Sequence, residues 1–209
     1  MVPARSFTNM VSVFLLCSIV LFGQEAEPKQ ESLYIMASAA VGNFTLKADK
    51  EFRQIYSNST LTKNFAAGLG TRSMVLIAKY REFSATGRST VTNIDQLGKA
   101  EWKQKFYEAG VRIRGDEIPL YLDLLYVSTR ADEMITTESP VIARLTASSS
   151  KESKGIGGAV GISLKLAGMI RIFAEAEYCK LAELQIDLFG RPSPELGGTN
   201  LSAGIQLSF

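Results

Sequence analysis

Glu175 and Glu177 could do acid–base chemistry, because a pair of carboxylates can share the roles of proton donor and proton acceptor. They lie two residues apart in an alternating segment and share one face of the predicted strand with Arg171. A basic neighbour on that face favours a structural ion-pairing role over catalysis. The chain contains 0 histidines, so it lacks the commonest general base and metal ligand. The sequence therefore predicts a protein that is not an enzyme and that holds no metal or cofactor.

Ten charged residues fall on one face of alternating segments whose other face is mostly apolar. If the apolar face meets lipid, a basic side chain on that same face would cost about 2–4 kcal/mol at mid-depth. A few such costs would consume the about 5–15 kcal/mol that stabilises a domain. We therefore predict that these side chains point inward and pair as a buried charge network in the lumen of a barrel. They are Lys79, Arg81, Glu108, Arg112, Arg114, Asp123, Lys165, Arg171, Glu175 and Glu177.

The elements that must position these charges are β-strands, because polar and apolar residues alternate with a period of two. The sequence predicts eight of them, an even number, as bacterial barrels require. The predicted ranges are 32–42, 63–71, 73–85, 105–114, 118–128, 155–166, 169–182 and 198–209. In the first range the residues are too uniformly apolar to assign an inner and an outer face.

The connections between the predicted strands alternate in length. Those near 71–73, 115–117 and 167–168 are short and carry Gly-Asp and Ala-Gly pairs, which suit tight hairpins. Those near 43–62, 86–104, 129–154 and 183–197 run to about 15 to 26 residues. Short turns at one end and long polar loops at the other are typical of a transmembrane barrel with its turns in the periplasm.

The N-terminal segment has the pattern of a secretory signal peptide. Arg5 precedes an apolar run at 11–22 that is shorter than the about 20 residues of a membrane-spanning helix, and small residues follow it. We predict a signal peptide over 1–23, with cleavage after Gly23 or Ala26, and one barrel domain over 24–209. After cleavage only Cys179 remains, so no internal disulfide is possible. Lysine plus arginine then nearly balance aspartate plus glutamate, and nothing suggests a nucleic-acid partner.

The last ten residues alternate without a break and end on an aromatic residue. Their apolar face consists of Leu201, Ala203, Ile205, Leu207 and Phe209. A closing strand that ends in Phe resembles the assembly signal of Gram-negative outer-membrane barrels. With its eight strands and alternating connections, the mature chain resembles the small eight-stranded outer-membrane barrels of the OmpA transmembrane-domain and OmpX type.

That resemblance implies an all-β, eight-stranded, antiparallel, up-and-down transmembrane barrel in the bacterial outer membrane. It implies a non-enzymatic surface protein, monomeric, inserted by the barrel-assembly machinery and surrounded by outer-membrane lipid and lipopolysaccharide. An interior of this size is filled by side chains. The specific role would then lie in the long loops, as adhesion, ligand binding or contact with lipopolysaccharide. Basic residues in those loops could contact lipopolysaccharide phosphates, or they could form an ordinary solvated surface.

Two alternatives remain at this point. A soluble exported barrel like a lipocalin would turn its apolar faces inward to bind an apolar ligand and its charges outward. A barrel enzyme of unfamiliar type would need a convergent polar cluster at one rim.

Aromatic residues near strand ends could mark the membrane interfaces or serve ordinary strand packing. They are Tyr34, Phe65, Tyr80, Tyr107, Tyr126, Tyr178 and Phe209.

Overall fold

A computed structural model describes residues 33–47, 53, 55–56, 59–90, 97–115, 118–137, 146–182 and 196–209. Within them the chain forms eight β-strands. They are β1 (Tyr34–Leu46), β2 (Ser59–Gly70), β3 (Met74–Thr90), β4 (Leu97–Arg114), β5 (Leu120–Thr137), β6 (Thr146–Ala167), β7 (Ile170–Leu181) and β8 (Gly198–Ser208). The predicted signal peptide at 1–23 lies outside the described residues, so it stays a prediction.

The strands close into a barrel in which each pairs with the next along the chain and β1 pairs with β8. All eight pairings are antiparallel. The seam between β1 and β8 runs from Met36 opposite Ser208 to Leu46 opposite Gly198. The predicted eight-stranded, antiparallel, up-and-down barrel is therefore confirmed.

The three short connections lie where the sequence predicts them. In the β2–β3 turn the Thr71 amide donates to the Met74 carbonyl at 2.8 Å, and Thr71 Oγ1 accepts from the Met74 amide at 3.1 Å. In the β6–β7 turn Gly168 has φ of 48°, a left-handed conformation that glycine adopts without steric cost. The register between β6 and β7 shifts between Lys165 and Ala167 just before this turn. These features fix one end of the barrel, the short-turn end.

At the long-loop end the predicted boundaries of six strands are wrong. Strand β1 ends at Leu46 and β2 begins at Ser59, each four residues beyond its predicted limit, and β3 to β6 differ by more. Strands β3 to β6 continue well beyond their predicted limits, so much of 86–104 and 129–154 is strand instead of loop. One face of these segments is charged, so their sequences resemble polar loops. The other face is buried, with Ala100, Trp102 and Gln104 all below 3% exposed. Since β1, β2, β7 and β8 are shorter, the four long strands project as a wall on one side of the barrel.

The two faces of the sheet differ in chemistry. Large apolar side chains point away from the barrel axis, among them Leu76, Ile172 and Ile205, and charged side chains such as Arg112 and Glu177 are buried inside. Strand β1, which the sequence left unassigned, turns Ile35 and Val41 outward and Met36 and Phe44 inward. This orientation is the reverse of the one that a lipocalin-like barrel requires.

Among the residues that the structure describes, no helix has the length and apolar character needed to cross a membrane.

Candidate functional site in the barrel lumen

Seven of the ten predicted lumen charges lie together in the middle of the barrel. Strand β3 supplies Lys79 and Arg81, β4 supplies Glu108 and Arg112, β5 supplies Asp123, and β7 supplies Glu175 and Glu177. Three are basic and four are acidic. We call these seven residues the ionic layer.

Lys79 is the centre of the ionic layer. Its Nζ lies 2.7 Å from Asp123 Oδ2, 2.7 Å from Glu175 Oε1 and 3.3 Å from Glu177 Oε2. An ammonium group has three donors, so one carboxylate stands at hydrogen-bond distance for each. The Lys79 side chain therefore joins carboxylates of β5 and β7 across the lumen.

Arg112 forms a two-point pair with Asp123, which lies opposite it in the β4–β5 register. Nε donates to Oδ1 at 2.7 Å and Nη2 donates to Oδ2 at 2.8 Å, the fork geometry that gives arginine–carboxylate pairs their strength. Nη2 also lies 3.0 Å from Glu175 Oε2. The Tyr121 hydroxyl donates to that oxygen at 2.9 Å, and its ring lies under the guanidinium, with 3.7 Å from Arg112 Cζ to the ring centroid. Arg112 is thus held on three sides.

The Tyr121 ring fits inside the barrel because the neighbouring strand has no side chain there. A Cβ atom added to Gly161, which lies opposite Tyr121, would overlap the Tyr121 ring. Glycine at position 161 therefore lets an aromatic ring cross the narrow lumen.

Arg81 connects the ionic layer to aromatic residues. Its Nη2 donates to Glu108 Oε1 at 2.7 Å, and its Nη1 lies 2.7 Å from Glu177 Oε1. The guanidinium carbon also lies 4.3 Å from the Phe106 ring centroid and 5.0 Å from that of Phe44. Such contacts between a cation and a ring face are attractive, and more so in a desolvated interior.

A second layer, towards the long-loop end, is apolar. Phe44, Phe83 and Phe106 are each 0% exposed, and the Phe44 ring meets the other two edge to face at centroid distances of 5.2 and 5.1 Å. We call the following buried residues the apolar layer: Phe44, Leu46, Phe83, Ala85, Ala100, Trp102, Phe106, Ala131, Ile135, Leu181 and Leu196. This half of the lumen is therefore filled by apolar packing and not by charge pairing.

Polar contacts tie the apolar layer to segments outside the wall. The Tyr56 hydroxyl donates to Glu133 at 2.7 Å, and the Tyr56 ring lies 6.1 Å from that of Trp102. Gln104 Nε2 donates to the Leu196 carbonyl at 2.9 Å and to Thr129 Oγ1 at 3.1 Å. These contacts hold Tyr56 and Leu196 against the interior at the long-loop end. The sequence contains a signal for this extension, since Trp102 and Gln104, inside the segment predicted as a loop, continue the inward face that Phe106 occupies in the predicted strand.

The other three predicted lumen charges do not join the ionic layer. Arg114, Lys165 and Arg171 lie on the inner face, but at the short-turn end, where Lys165 is exposed and the two arginines are half-buried. The strands end at the turns just beyond these three residues, so their side chains lie at the open mouth of the barrel. None of the three makes an ion pair with another described residue.

The predicted apolar face of the last strand points away from the barrel. Leu201, Ile205, Leu207 and Phe209 are 60%, 56%, 41% and 59% exposed. The Phe209 amide donates to the Ile35 carbonyl at 2.9 Å, and the Ile35 amide donates to the Phe209 carbonyl at 3.1 Å, so Phe209 continues the seam between β8 and β1. Ala203 lies on the same exposed face.

Three of the predicted interfacial aromatic residues form one row across neighbouring strands. Phe65 lies opposite Tyr80, which lies opposite Tyr107, and the two tyrosine rings are 5.5 Å apart. Tyr126 and Tyr178 also face outward. Tyr34 does not, because it is 8% exposed and its hydroxyl accepts a hydrogen bond from Gln206 inside the barrel.

Beyond this aromatic row, towards the long-loop end, the outer surface is charged. One cross-strand row contains Lys63, Glu82, Lys105, Arg130 and Glu152. Hydrogen bonds from Lys103 and Tyr80 lower the pKa of the Glu82 carboxyl, which holds it in the charged form. The described, outward-pointing charges of this outer belt are Lys63, Lys99, Lys103, Lys105, Arg130, Lys154, Lys180, Glu82, Glu101, Asp132 and Glu152. Basic residues predominate, and those on β4, β5 and β6 lie on strands instead of in the predicted loops.

No protein-family model matches the chain, and no curated protein matches its sequence. Among solved structures, the chain is similar to Ail, the attachment invasion locus protein of Yersinia pestis, in complex with the heparin analogue sucrose octasulfate. The two are 16% identical with a TM-score of 0.53, over 85% of this chain and 97% of Ail. Neisserial surface protein A is 14% identical with a TM-score of 0.49, over 85% of this chain and 97% of that one. The outer membrane protein AlkL is 11% identical with a TM-score of 0.41, over 90% and 94%. The match to Ail shows that this chain has the fold of the small eight-stranded outer-membrane barrels.

Proposed function

We propose that this chain is a non-enzymatic surface protein of the bacterial outer membrane, a monomer whose wall and belt face the outside of the cell. The observation that carries the proposal is the orientation of the sheet, with apolar side chains outside and paired charges inside. A soluble barrel would leave this exterior in contact with water. In a bilayer the same exterior meets hydrocarbon, and the strands of a closed barrel form their backbone hydrogen bonds with one another.

The amount of exposed apolar surface supports the bilayer. Side chains such as Leu76, Ile156 and Ile205 are at least 56% exposed, and similar residues surround the whole barrel. Soluble monomers seldom expose a contiguous apolar patch of more than a few hundred Å². An apolar band bordered by aromatic residues is the exterior that transmembrane barrels present to lipid.

We infer further that the outer belt contacts phosphate groups of lipopolysaccharide. It lies next to the aromatic row Phe65, Tyr80 and Tyr107, at the level where lipid headgroups would begin. Charge-assisted hydrogen bonds from lysine and arginine to phosphate are among the stronger polar contacts. Ail binds a sugar that carries eight sulfate groups. Sulfate and phosphate esters on sugars have similar charge and geometry, so this complex favours the same kind of contact here.

The location is tested by cell fractionation and by gel mobility. We expect the protein in the outer-membrane fraction, and we expect it to migrate differently on a denaturing gel when the sample is left unheated, because a lipid-stabilised barrel resists unfolding at room temperature. Recovery from the soluble periplasmic fraction, with equal mobility before and after heating, would contradict the proposal and favour the lipocalin-like alternative.

The contact with lipopolysaccharide is tested with the variant K103Q/K105Q/R130Q. Each change removes a positive charge from the outer belt and keeps a polar side chain of similar length. We expect several-fold less lipopolysaccharide to remain bound per protein after detergent extraction. The matched control is Arg72→Gln, an exposed basic residue at the opposite end of the barrel. Equal retention by the triple variant and the wild type would rule out a contribution of the belt.

We also propose that the last strand is read by the barrel-assembly machinery through Leu201, Ala203, Ile205, Leu207 and Phe209. Their side chains point outward and are available to a partner before lipid surrounds the barrel. Deleting Phe209 removes both a ring and a pair of seam hydrogen bonds, whereas Phe209→Ala removes only the ring. If the side chain is the signal, both variants should insert poorly and Arg130→Gln should insert normally. Normal insertion of Phe209→Ala would mean that the ring is not read.

A further inference from the structure

At the short-turn end of the barrel, the charged side chains that the structure describes are all basic. They are Arg72, Arg114, Lys165 and Arg171, and none of them makes an ion pair with another described side chain. Asp116 and Glu117, in the β4–β5 turn, lie outside the described residues. In the ionic layer, by contrast, each basic side chain has at least two carboxylate partners.

Neutral groups hold the two arginines in place. Arg171 donates from Nε to Ser163 Oγ and from Nη2 to the Ser163 carbonyl, both at 2.9 Å. The Arg114 guanidinium lies 4.8 Å from the centroid of the Tyr34 ring, and Gln206 Nε2 donates to the Tyr34 hydroxyl at 2.8 Å. These contacts hold both guanidinium groups in position, and neither group has a carboxylate partner among the described residues. We call Arg114, Lys165 and Arg171 the basic mouth.

The basic mouth also places like charges next to each other. Lys165 lies directly opposite Arg171 in the β6–β7 register. Like charges directly opposite each other across two strands destabilise a sheet, and an anion bound between them would offset the repulsion by its attraction to both. Arginine is suited to such an anion, because its planar donors match the oxygens of phosphate.

We propose that the basic mouth binds a phosphate group, held by the guanidinium groups of Arg114 and Arg171 with the ammonium group of Lys165 beside them. The phosphate belongs either to a small soluble phosphate ester or to the headgroup of an anionic phospholipid. This site lies at the other end of the barrel from the outer belt and does not depend on any contact that the belt makes.

The test uses the full-length mature chain in micelles of the phosphate-free detergent lauryldimethylamine oxide, titrated with inorganic phosphate at constant ionic strength. We expect saturable NMR shifts at the backbone amides of Tyr34, Ser163 and Arg171, with at least ten-fold weaker binding in the variant R114Q/R171Q. The control variant K103Q/K105Q, altered in the outer belt, should bind as the wild type does. Shifts that fail to saturate, or that persist unchanged in R114Q/R171Q, would overturn the proposal. Heat-dependent gel mobility of each variant reports whether its barrel is folded.

A second arm distinguishes the two sources of phosphate. The same titration is repeated in nanodiscs of phosphatidylcholine and in nanodiscs that also contain phosphatidylglycerol. If a headgroup occupies the basic mouth, the three amide signals differ between the two kinds of nanodisc before any phosphate is added. Added phosphate then shifts them little in the nanodiscs that contain phosphatidylglycerol. If a soluble ester is the ligand, both nanodiscs give the same phosphate titration. Because the first arm is done in detergent, its failure would leave the proposed membrane location standing.

Discussion

The ionic layer and the apolar layer lie one above the other in the same lumen and are held together by different interactions. In the ionic layer each side chain depends on partners at fixed distances, as in the two-point contact of Arg112 with Asp123. In the apolar layer the rings of Phe44, Phe83 and Phe106 fill space and make edge-to-face contacts. Arg81 belongs to both, since it pairs with Glu108 and lies on the Phe106 ring.

The two layers should differ in which substitutions they tolerate. A buried ion pair gives little net stability because desolvation offsets the attraction, yet removing one partner is costly because it strands the other. A packed apolar layer responds mainly to lost volume and tolerates substitutions that conserve it. The ionic layer should therefore be sensitive to the identity of single residues, and the apolar layer to their size.

The largest effect is expected for Arg112→Leu, which removes two hydrogen bonds from Asp123 and one from Glu175 and leaves Lys79 to pair with both carboxylates in the lumen. We expect the free energy of unfolding in lipid vesicles to fall by about 3–5 kcal/mol. The double variant R112L/D123L removes a charge of each sign, so it should lose less than the single variant. Arg130→Leu, on the outer belt, should change stability by less than about 0.5 kcal/mol. If the double variant loses more than Arg112→Leu, the ionic layer does not work by charge pairing.

Phe44→Ala tests the apolar layer and should cost about 3 kcal/mol, at the lower end of the range for a buried aromatic residue. The ring contacts both Phe83 and Phe106, so a cavity would remain between them. Phe44→Leu should lose about half as much, because it keeps most of the volume. Urea unfolding in vesicles measures both. A loss as large for Phe44→Leu as for Phe44→Ala would mean that the ring itself, through Arg81, matters more than volume.

Ile205→Arg tests whether both layers are interior with respect to lipid. Ile205 lies on the outer face of β8, between Thr199 near the long-loop end and Phe209 at the short-turn end, so the substitution should cost about 2–4 kcal/mol if this position lies near the bilayer midplane. Thr199→Arg, on the same face near the long-loop end, should cost at most about 1 kcal/mol. Equal costs in vesicles would indicate that the outer face does not lie across hydrocarbon.

The smallest effect is expected at Asn64, which faces a small cavity beside the ionic layer. Its Nδ2 and Oδ1 are buried and make no hydrogen bond to another described residue. Asn64→Ala should therefore leave the free energy of unfolding unchanged or raise it slightly. Asn200→Ala should lower it by about 1 kcal/mol, because Asn200 Oδ1 accepts a hydrogen bond from Thr62 at 3.1 Å. A clear loss for Asn64→Ala would show that its amide is satisfied within the cavity.

The strand number, the short turns and the inward face of the charges could be predicted, because all three depend on local alternation and turn residues. Lys79 and Arg81 share their face with Val75, Ile77 and Phe83, a mixture of charged and apolar residues that alternation alone does not explain. The structure explains the mixture, since Phe83 fills the apolar layer and the two cations fill the ionic layer.

The apolar layer and the tall wall could not be predicted from the same pattern. Alternation separates two faces but does not say how far a strand extends beyond the bilayer. From Lys99 to Lys105 the outer face of β4 is charged, so the sequence of this segment resembles that of a polar loop. Only its pairing with the neighbouring strands shows that it is a strand. Which charges meet across the lumen also depends on barrel closure, as for Lys79 on β3 with Glu175 on β7. The position of Arg114 and Arg171 at the mouth follows from the same closure.

The salt bridge between Lys79 and Glu175 spans 96 residues of chain, and the seam joins Ile35 to Phe209. Neither the ionic layer nor the seam can form while only the early strands are in place. Barrels built from such distant pairings fold slowly, because the entropy of closing long loops is lost before most of the stabilising contacts form. Until β7 is in place and the barrel closes, Lys79 would lack two of its three carboxylates, Glu175 and Glu177. The chain therefore has a long interval in which it needs protection from aggregation.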